Sequence, residues 1–227
     1  QTSALQTTWG DFPGLGWDAD AIYVSMNMYT WRDDFDHVRI ITVDKGSVTD
    51  GDPDTFTHFD VTRSAPHITL QPAVMHGASS GDPMFFVEEA GYANGSQIRI
   101  VKMTNKLTAT PTFTDSDITV ARYTFPPKAT QPGSKKFKLD TNDTSILNAE
   151  WRGGRLVAAQ NVGLSKRKEA HARWYEFNTD SMTLTQQGTI DLGPKIHTYY
   201  PSIAIAANGD LGLAYMQSSK QEFMSVY

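Results

Sequence analysis

One strand-turn-strand signature recurs four times along the chain, and an internal repeat constrains a fold more tightly than composition does. Each copy opens on a short apolar stretch that starts at a Pro or Asn followed by a small residue. These are Phe12-Pro13-Gly14-Leu15-Gly16, Gln71-Pro72-Ala73-Val74, Leu147-Asn148-Ala149-Glu150 and Tyr200-Pro201-Ser202-Ile203. Turn-forming residues follow at Asp18-Ala19-Asp20, Ser80-Gly81-Asp82-Pro83, Arg152-Gly153-Gly154 and Asn208-Gly209-Asp210. Then comes a second strand rich in apolar, aromatic and β-branched residues: 22–26, 84–87, 155–159 and 211–215. That content predicts strands buried on both faces. A third strand with alternating character fits 38–43, 97–101, 172–177 and 223–227, and a more polar fourth fits 56–61, 120–123 and 188–191.

The markers Pro13, Pro72, Asn148 and Pro201 lie 59, 76 and 53 residues apart, so the units begin near residues 12, 71, 147 and 200. The longer second interval carries Phe125-Pro126-Pro127-Lys128-Ala129-Thr130-Gln131-Pro132-Gly133, an extended loop. No helical periodicity interrupts the pattern. The expected fold is all-β, a β-propeller of four-stranded antiparallel blades spanning residues 1–227, with about four blades and the last incomplete. A β-sandwich is the rival, since many short strands with turn signals describe it too. A last blade without its outer strand exposes an edge, so the chain is expected to be a fragment of a longer one or to pair with further blades or another chain.

The net charge of −5 and pI near 5.6 give no electrostatic basis for a nucleic-acid partner. The basic run Lys166-Arg167-Lys168 reads as a solvated loop tip. There is no cysteine, which excludes disulfides, thiolate nucleophiles and Cys-ligated zinc. No stretch approaches the roughly 18 apolar residues of a membrane span. Gly-x-Ser-x-Gly, phosphate-loop, dinucleotide and His-Glu-x-x-His motifs are all missing.

In a propeller the loops leading into the first strands crowd one end of the central channel. His197 and Tyr199 precede the fourth such strand, and imidazole with phenol supplies a base and an acid for a polysaccharide lyase or hydrolase. Asp11 and Glu150 are the carboxylates placed to join them. The competing reading makes Tyr199 and Tyr200 packing aromatics, His197 a loop residue and Glu150 a hydrogen-bonded structural group. Glu88 and Glu89 are adjacent on a strand, so they point to opposite faces and form no pair. Two oxygen-rich loops, Asp50-Gly51-Asp52-Pro53-Asp54 and Asp140-Thr141-Asn142-Asp143, offer the hard ligands that calcium prefers, with Asp50, Asp52, Asp54, Asp140, Asn142 and Asp143 as candidate ligands. Neither is an EF-hand, and such residues are also ordinary turn formers. Asp33-Asp34-Phe35-Asp36-His37 is a third such run.

The stretches Trp9-Gly10-Asp11-Phe12-Pro13-Gly14-Leu15-Gly16-Trp17-Asp18-Ala19-Asp20-Ala21-Ile22-Tyr23-Val24-Ser25, Ala172-Arg173-Trp174-Tyr175-Glu176 and Tyr199-Tyr200-Pro201-Ser202-Ile203-Ala204 resemble the repeats of secreted bacterial β-propeller proteins of largely unassigned function, distantly similar to the sialidase-like superfamily. The resemblance implies a propeller fold and a secreted or cell-surface bacterial location. It implies little about chemistry, because one fold hosts many functions. The Ser-x-Asp-x-Gly-x-Thr-Trp turn of sialidases is missing, and Arg39, Arg99, Arg122 and Arg173 fall on outer strands, away from any channel. The expected function is a non-catalytic extracellular module that binds a glycan or protein. A carbohydrate-active enzyme and a surface-layer or filament repeat are the alternatives.

Overall fold

The computed structural model describes residues 8–49, 51, 55–91, 94–133 and 137–227. Four antiparallel meanders follow one another along the chain. The first holds β1 (Thr8–Trp17), β2 (Ala21–Thr30), β3 (Phe35–Asp44) and β4 (His58–Arg63), with a single helical turn α1 (Lys45–Val48) capped by Asp44. The second holds β5 (Gln71–His76), β6 (Met84–Glu89), β7 (Gly95–Thr104) and β8 (Thr112–Tyr123). The third holds β9 (Ile146–Arg152), β10 (Arg155–Gly163), β11 (Ala170–Asn178) and β12 (Thr183–Ile190). The fourth holds β13 (Ile196–Ile205), β14 (Leu211–Ser219) and the two-residue β15 (Ser225–Val226).

The all-β expectation holds, and each of the four predicted openings is the first strand of its unit. The predicted third strand at 223–227 shrinks to Ser225–Val226, which pair with Gln217 and Met216 of β14, and Tyr227 exchanges backbone bonds with Tyr215 beyond them. Burial on both faces is found in β6, buried throughout, and in β10, buried at all but its first residue. In β2 burial alternates, and β14 is only half-buried along most of its length. The sequence pattern of the second strands is similar in all units. The difference comes from position: the middle units are covered on both sides and the end units on one.

The first strands run parallel and meet through their trailing halves. Trp17 pairs with Val74, and Ala73–His76 pair with Ala149–Arg152, which merges three meanders into one mixed twelve-stranded sheet. Gly16 permits the first of these approaches, since a Cβ there would lie 2.5 Å from the Ala73 carbonyl oxygen. One continuous apolar core runs through the first three units. Its largest members are Tyr23, Phe86, Tyr123, Tyr175 and Phe177, with Tyr23 and Phe86 edge to face at 6.0 Å.

At the trailing end, buried charge reinforces the seam between units one and two. Lys106 reaches the carboxylates of Asp18 and Asp20, the latter at 2.9 Å, and the Asp82 carbonyl at 2.7 Å. Burial works against the Asp20 anion, yet bonds from the Gly81 N–H, the Ser80 hydroxyl and Lys106 outweigh it and hold its pKa down to about 2. The recurrent arginines lie on outer strands. Arg39 pairs with Asp60 and Arg99 with Asp117, while Arg173 donates to Thr189 and the Ala121 carbonyl.

Candidate functional site

A second-strand side chain of each of the first three units reaches the leading end of the next unit's first strand. Spacing from the turns shows the equivalence: Asn27, Glu89 and Asn161 each stand seven residues after Asp20, Asp82 and Gly154, and two residues after Ser25, Val87 and Ala159, which pair with the first strands. Asn27 accepts the Thr69 N–H at 2.7 Å and donates to the Thr69 hydroxyl at 2.9 Å. Asn161 accepts the Tyr200 N–H at 2.6 Å and donates to the Thr141 carbonyl at 2.7 Å. At the middle junction the amide is replaced by Glu89, which accepts from the Tyr123 hydroxyl at 2.9 Å and the Thr144 hydroxyl at 3.3 Å.

The leading ends of all four units bend sharply. Phe12 (φ 52°), Thr69 (φ 53°), Asn142 (φ 59°) and Tyr200 (φ 50°) all occupy the left-handed region. That conformation costs a non-glycine residue about 1 kcal/mol or more, so tertiary contacts must fix it. Phe12 and Tyr200 each sit directly before a proline and inside a break in strand register, at Asp11/Gly14 and Tyr199/Ser202. Such bulges re-aim side chains at the ends of sheets.

A cleft of about 200 Å³ opens between the leading ends of the first three units. Phe12, Tyr29 and Phe125 give it apolar wall, and Tyr29 is backed by Trp9, stacked at 5.2 Å, and by Phe35. Asp11, Glu89 and Asp143 give it three carboxylates, and Asn27, Asn142, Thr69, Thr144 and Ser145 add neutral polar groups. Among the described residues no Lys, Arg or His lines it. The cleft therefore offers aromatic faces for stacking, acceptors for hydroxyl or amine donors, and a negative potential that repels anions.

Of the sequence-predicted residues, Asp11 lies in this cleft; its carboxylate accepts the Phe12 N–H at 2.8 Å. The other three do not line it. Glu150 accepts the Ile205 N–H at 3.0 Å and lies 3.3 Å from His76, which makes it part of the tie between β9 and β13. His197 is buried at the seam between units three and four, where its Nδ1 accepts the Ala170 N–H at 3.1 Å; burial pushes its pKa down. Tyr199 is fully buried and donates to the Ser218 hydroxyl at 3.0 Å.

Of the calcium candidates, Asp50, Asp52 and Asp54 lie outside the described residues. Asp140 accepts the Asn142 N–H and pairs with Lys128, Asp143 accepts the Ser145 N–H, and both shape the turn that carries Asn142 and Asp143 into the cleft wall. Asp36 of the third acidic run pairs with His37. Among the described residues no three His, Asp or Glu side chains come together closely enough to hold a metal ion.

Glu88 and Glu89 diverge as adjacent strand residues must: Glu88 accepts from the Ile68 N–H and meets His67 and Arg99, whereas Glu89 lines the cleft. Sequence reasoning passed over Glu89, Tyr29 and Phe125 as site residues. A signal for Glu89 did exist, because aligning the second strands puts Asn27, Glu89 and Asn161 in one column with the acid as the odd member.

No protein-family model matches the chain, and no curated protein sequence matches it. Among solved structures it is similar to a subtype N10 neuraminidase-like protein of A/little yellow-shouldered bat/Guatemala/060/2010, at 11% identity and a TM-score of 0.45 over 96% of this chain. The chain spans 59% of the length of that one. No helix among the described residues is long and apolar enough to cross a membrane.

Proposed function

We propose that the four meanders are consecutive blades of a propeller and that the chain is a secreted or surface-exposed binding module, whose ligand is a glycan held in the cleft at the leading ends of blades one to three. One observation carries this reading. Three successive repeats each contribute to a single concavity that combines aromatic wall with carboxylate and amide acceptors, the equipment that binds a sugar ring by its apolar face and its hydroxyls. Charge narrows the class. With Asp11, Glu89 and Asp143 in the wall and no cation among its described residues, a uronate or sialyl group meets repulsion of about 1–4 kcal/mol per close pair, so the ligand is neutral or amine-bearing.

Calorimetry with hexasaccharides of N-acetylglucosamine, of glucose and of galacturonate tests this. Binding of a neutral hexamer, no binding of galacturonate and about tenfold weaker binding by Phe125→Ala are expected. Preference for galacturonate, or no binding by either neutral sugar, sinks the reading. A catalytic role is the second reading, because three carboxylates share the cleft and glycoside hydrolysis needs two. Release of reducing ends from the bound hexamer, abolished in Asp11→Asn or Glu89→Gln, separates an enzyme from a binding module.

A further inference from the structure

Two histidines face the seam between units three and four, and neither has room for a second proton. His197 Nδ1 accepts the Ala170 N–H at 3.1 Å, so the ring carries its proton on Nε2, and protonating Nδ1 breaks that bond. His171, fully buried on β11, lies 3.4 Å through Nδ1 from the Ile190 carbonyl, which only accepts, so its proton sits on Nδ1. Its Nε2 is buried without a partner, and a proton added there enters an unsolvated position.

The anions around the pair are already engaged. His197 faces Glu169, His171 and Lys138; His171 faces Asp191, Arg167, Glu169 and His197. Glu169 accepts the N–H groups of Lys168 at 3.0 Å and Lys195 at 2.7 Å and pairs with Arg167 at 3.3 Å, while Arg167 also holds Asp191 at 2.7 Å. Burial is the largest influence on both rings and pushes both pKa values below the ordinary 6.5. The folded chain then binds fewer protons than the unfolded one in mild acid. Stability supplied by these groups is full above pH 6.5 and is lost as the pH falls below it.

Little apolar packing resists that loss. The seam's own buried cluster is only Val157, Ala159, Ile203 and Ile205, with Trp174, Leu211 and Leu213 at its margin, apart from the core of units one to three. The seam also adjoins the cleft. Three residues after His197, Tyr200 is held by Asn161 and donates its hydroxyl to the Asp140 carbonyl at 3.3 Å, at the base of the turn whose Asn142, Asp143, Thr144 and Ser145 line the cleft.

We propose that His171 and His197 form an acid-sensitive latch: their protonation releases unit four from unit three and loosens the 140–145 wall of the cleft. Only the consequence for ligand occupancy rests on the glycan-binding reading; the latch itself does not.

Hydrogen exchange read by mass spectrometry at pH 7.5 and pH 5.5, corrected for intrinsic rates, tests the latch without any ligand. Exchange faster by about an order of magnitude at pH 5.5 is expected in 196–219 and in 140–145, with 71–104 unchanged and protection restored on return to pH 7.5. The double variant His171→Leu/His197→Gln, in which the glutamine carbonyl still accepts the Ala170 N–H without titrating, is expected to lose the response. Equal acceleration in all units, protection unchanged to pH 5.5, or a response that persists in the variant overturns the proposal. Should the variant not fold, histidine ring resonances of the unaltered chain serve instead. Protonation of His171 and His197 in step with the loss of protection supports the latch, and protonation with unit four still protected overturns it.

Discussion

The seam between units one and two and the seam between units three and four join copies of the same repeat, yet different strands meet there and different forces hold them: β1 pairs with β5, whereas β13 lies against β9, β10 and β11 without pairing. Across the first, Tyr23 packs edge to face on Phe86 within the large core, β1 pairs with β5 directly, and Lys106 bonds Asp18 and Asp20. Across the last, four buried apolar residues form a separate cluster, and β9 reaches β13 through side chains rather than a backbone ladder. Asn148 accepts the Ile203 N–H at 3.0 Å and donates to its carbonyl at 2.7 Å, Glu150 accepts the Ile205 N–H, and Arg152 donates to the Ile205 carbonyl. A repeat thus leaves open both which strands meet across a seam and what holds them. The apolar side chains delivered to the seams differ in size: Tyr23 and Phe86 at one, Ala159 and Ile203 at the other.

The largest expected effect breaks the first seam. Phe86→Ala removes a fully buried ring from the shared core and is expected to cost about 3–5 kcal/mol by denaturant unfolding, with units one to three losing protection together. A loss confined to unit two would show that the core is not cooperative. Next comes Lys106→Met, which strands Asp18 and Asp20 without their cation and is expected to cost about 3 kcal/mol at neutral pH. Because Asp20 sits near pKa 2 in the fold, its contribution is full above its ordinary value of 3.8 and disappears as the pH falls through 2. The penalty of the variant should therefore shrink in acid, and a penalty independent of pH would remove this ion cluster from the account. The smallest change sharpens the other side of the comparison. Asn148→Ala deletes two bonds to Ile203 and is expected to cost about 1–2 kcal/mol, seen as faster exchange in β13 and β14 with β6 and β7 unaffected. Equal effects in both regions would mean that the seams are coupled.

The meander order, the four first strands and the buried second strands of units two and three were legible because each rests on local information. A Pro or Asn before a small residue, a turn, and an apolar run suffice to mark two strands and the hairpin between them. The candidate cleft was legible only in part. It lies at the leading ends of the units, and of the four residues expected near those ends Asp11 lines it. His197, Tyr199 and Glu150 were near the same ends in sequence, but strand faces and bulges sent them to the seams.

What the sequence determined by itself is the repeated unit: strand positions, turns, and the divergence of Glu88 from Glu89, all properties of a two-residue period and of backbone preferences within a few residues. What only the tertiary structure decided is which faces are covered and which groups share a cavity. Asp11, Glu89 and Asp143 come from three different units, separated by dozens of residues, and no local rule carries their distance. Their meeting depends on how parallel first strands join at one end and part at the other, a matter of packing between units that a single repeat does not encode.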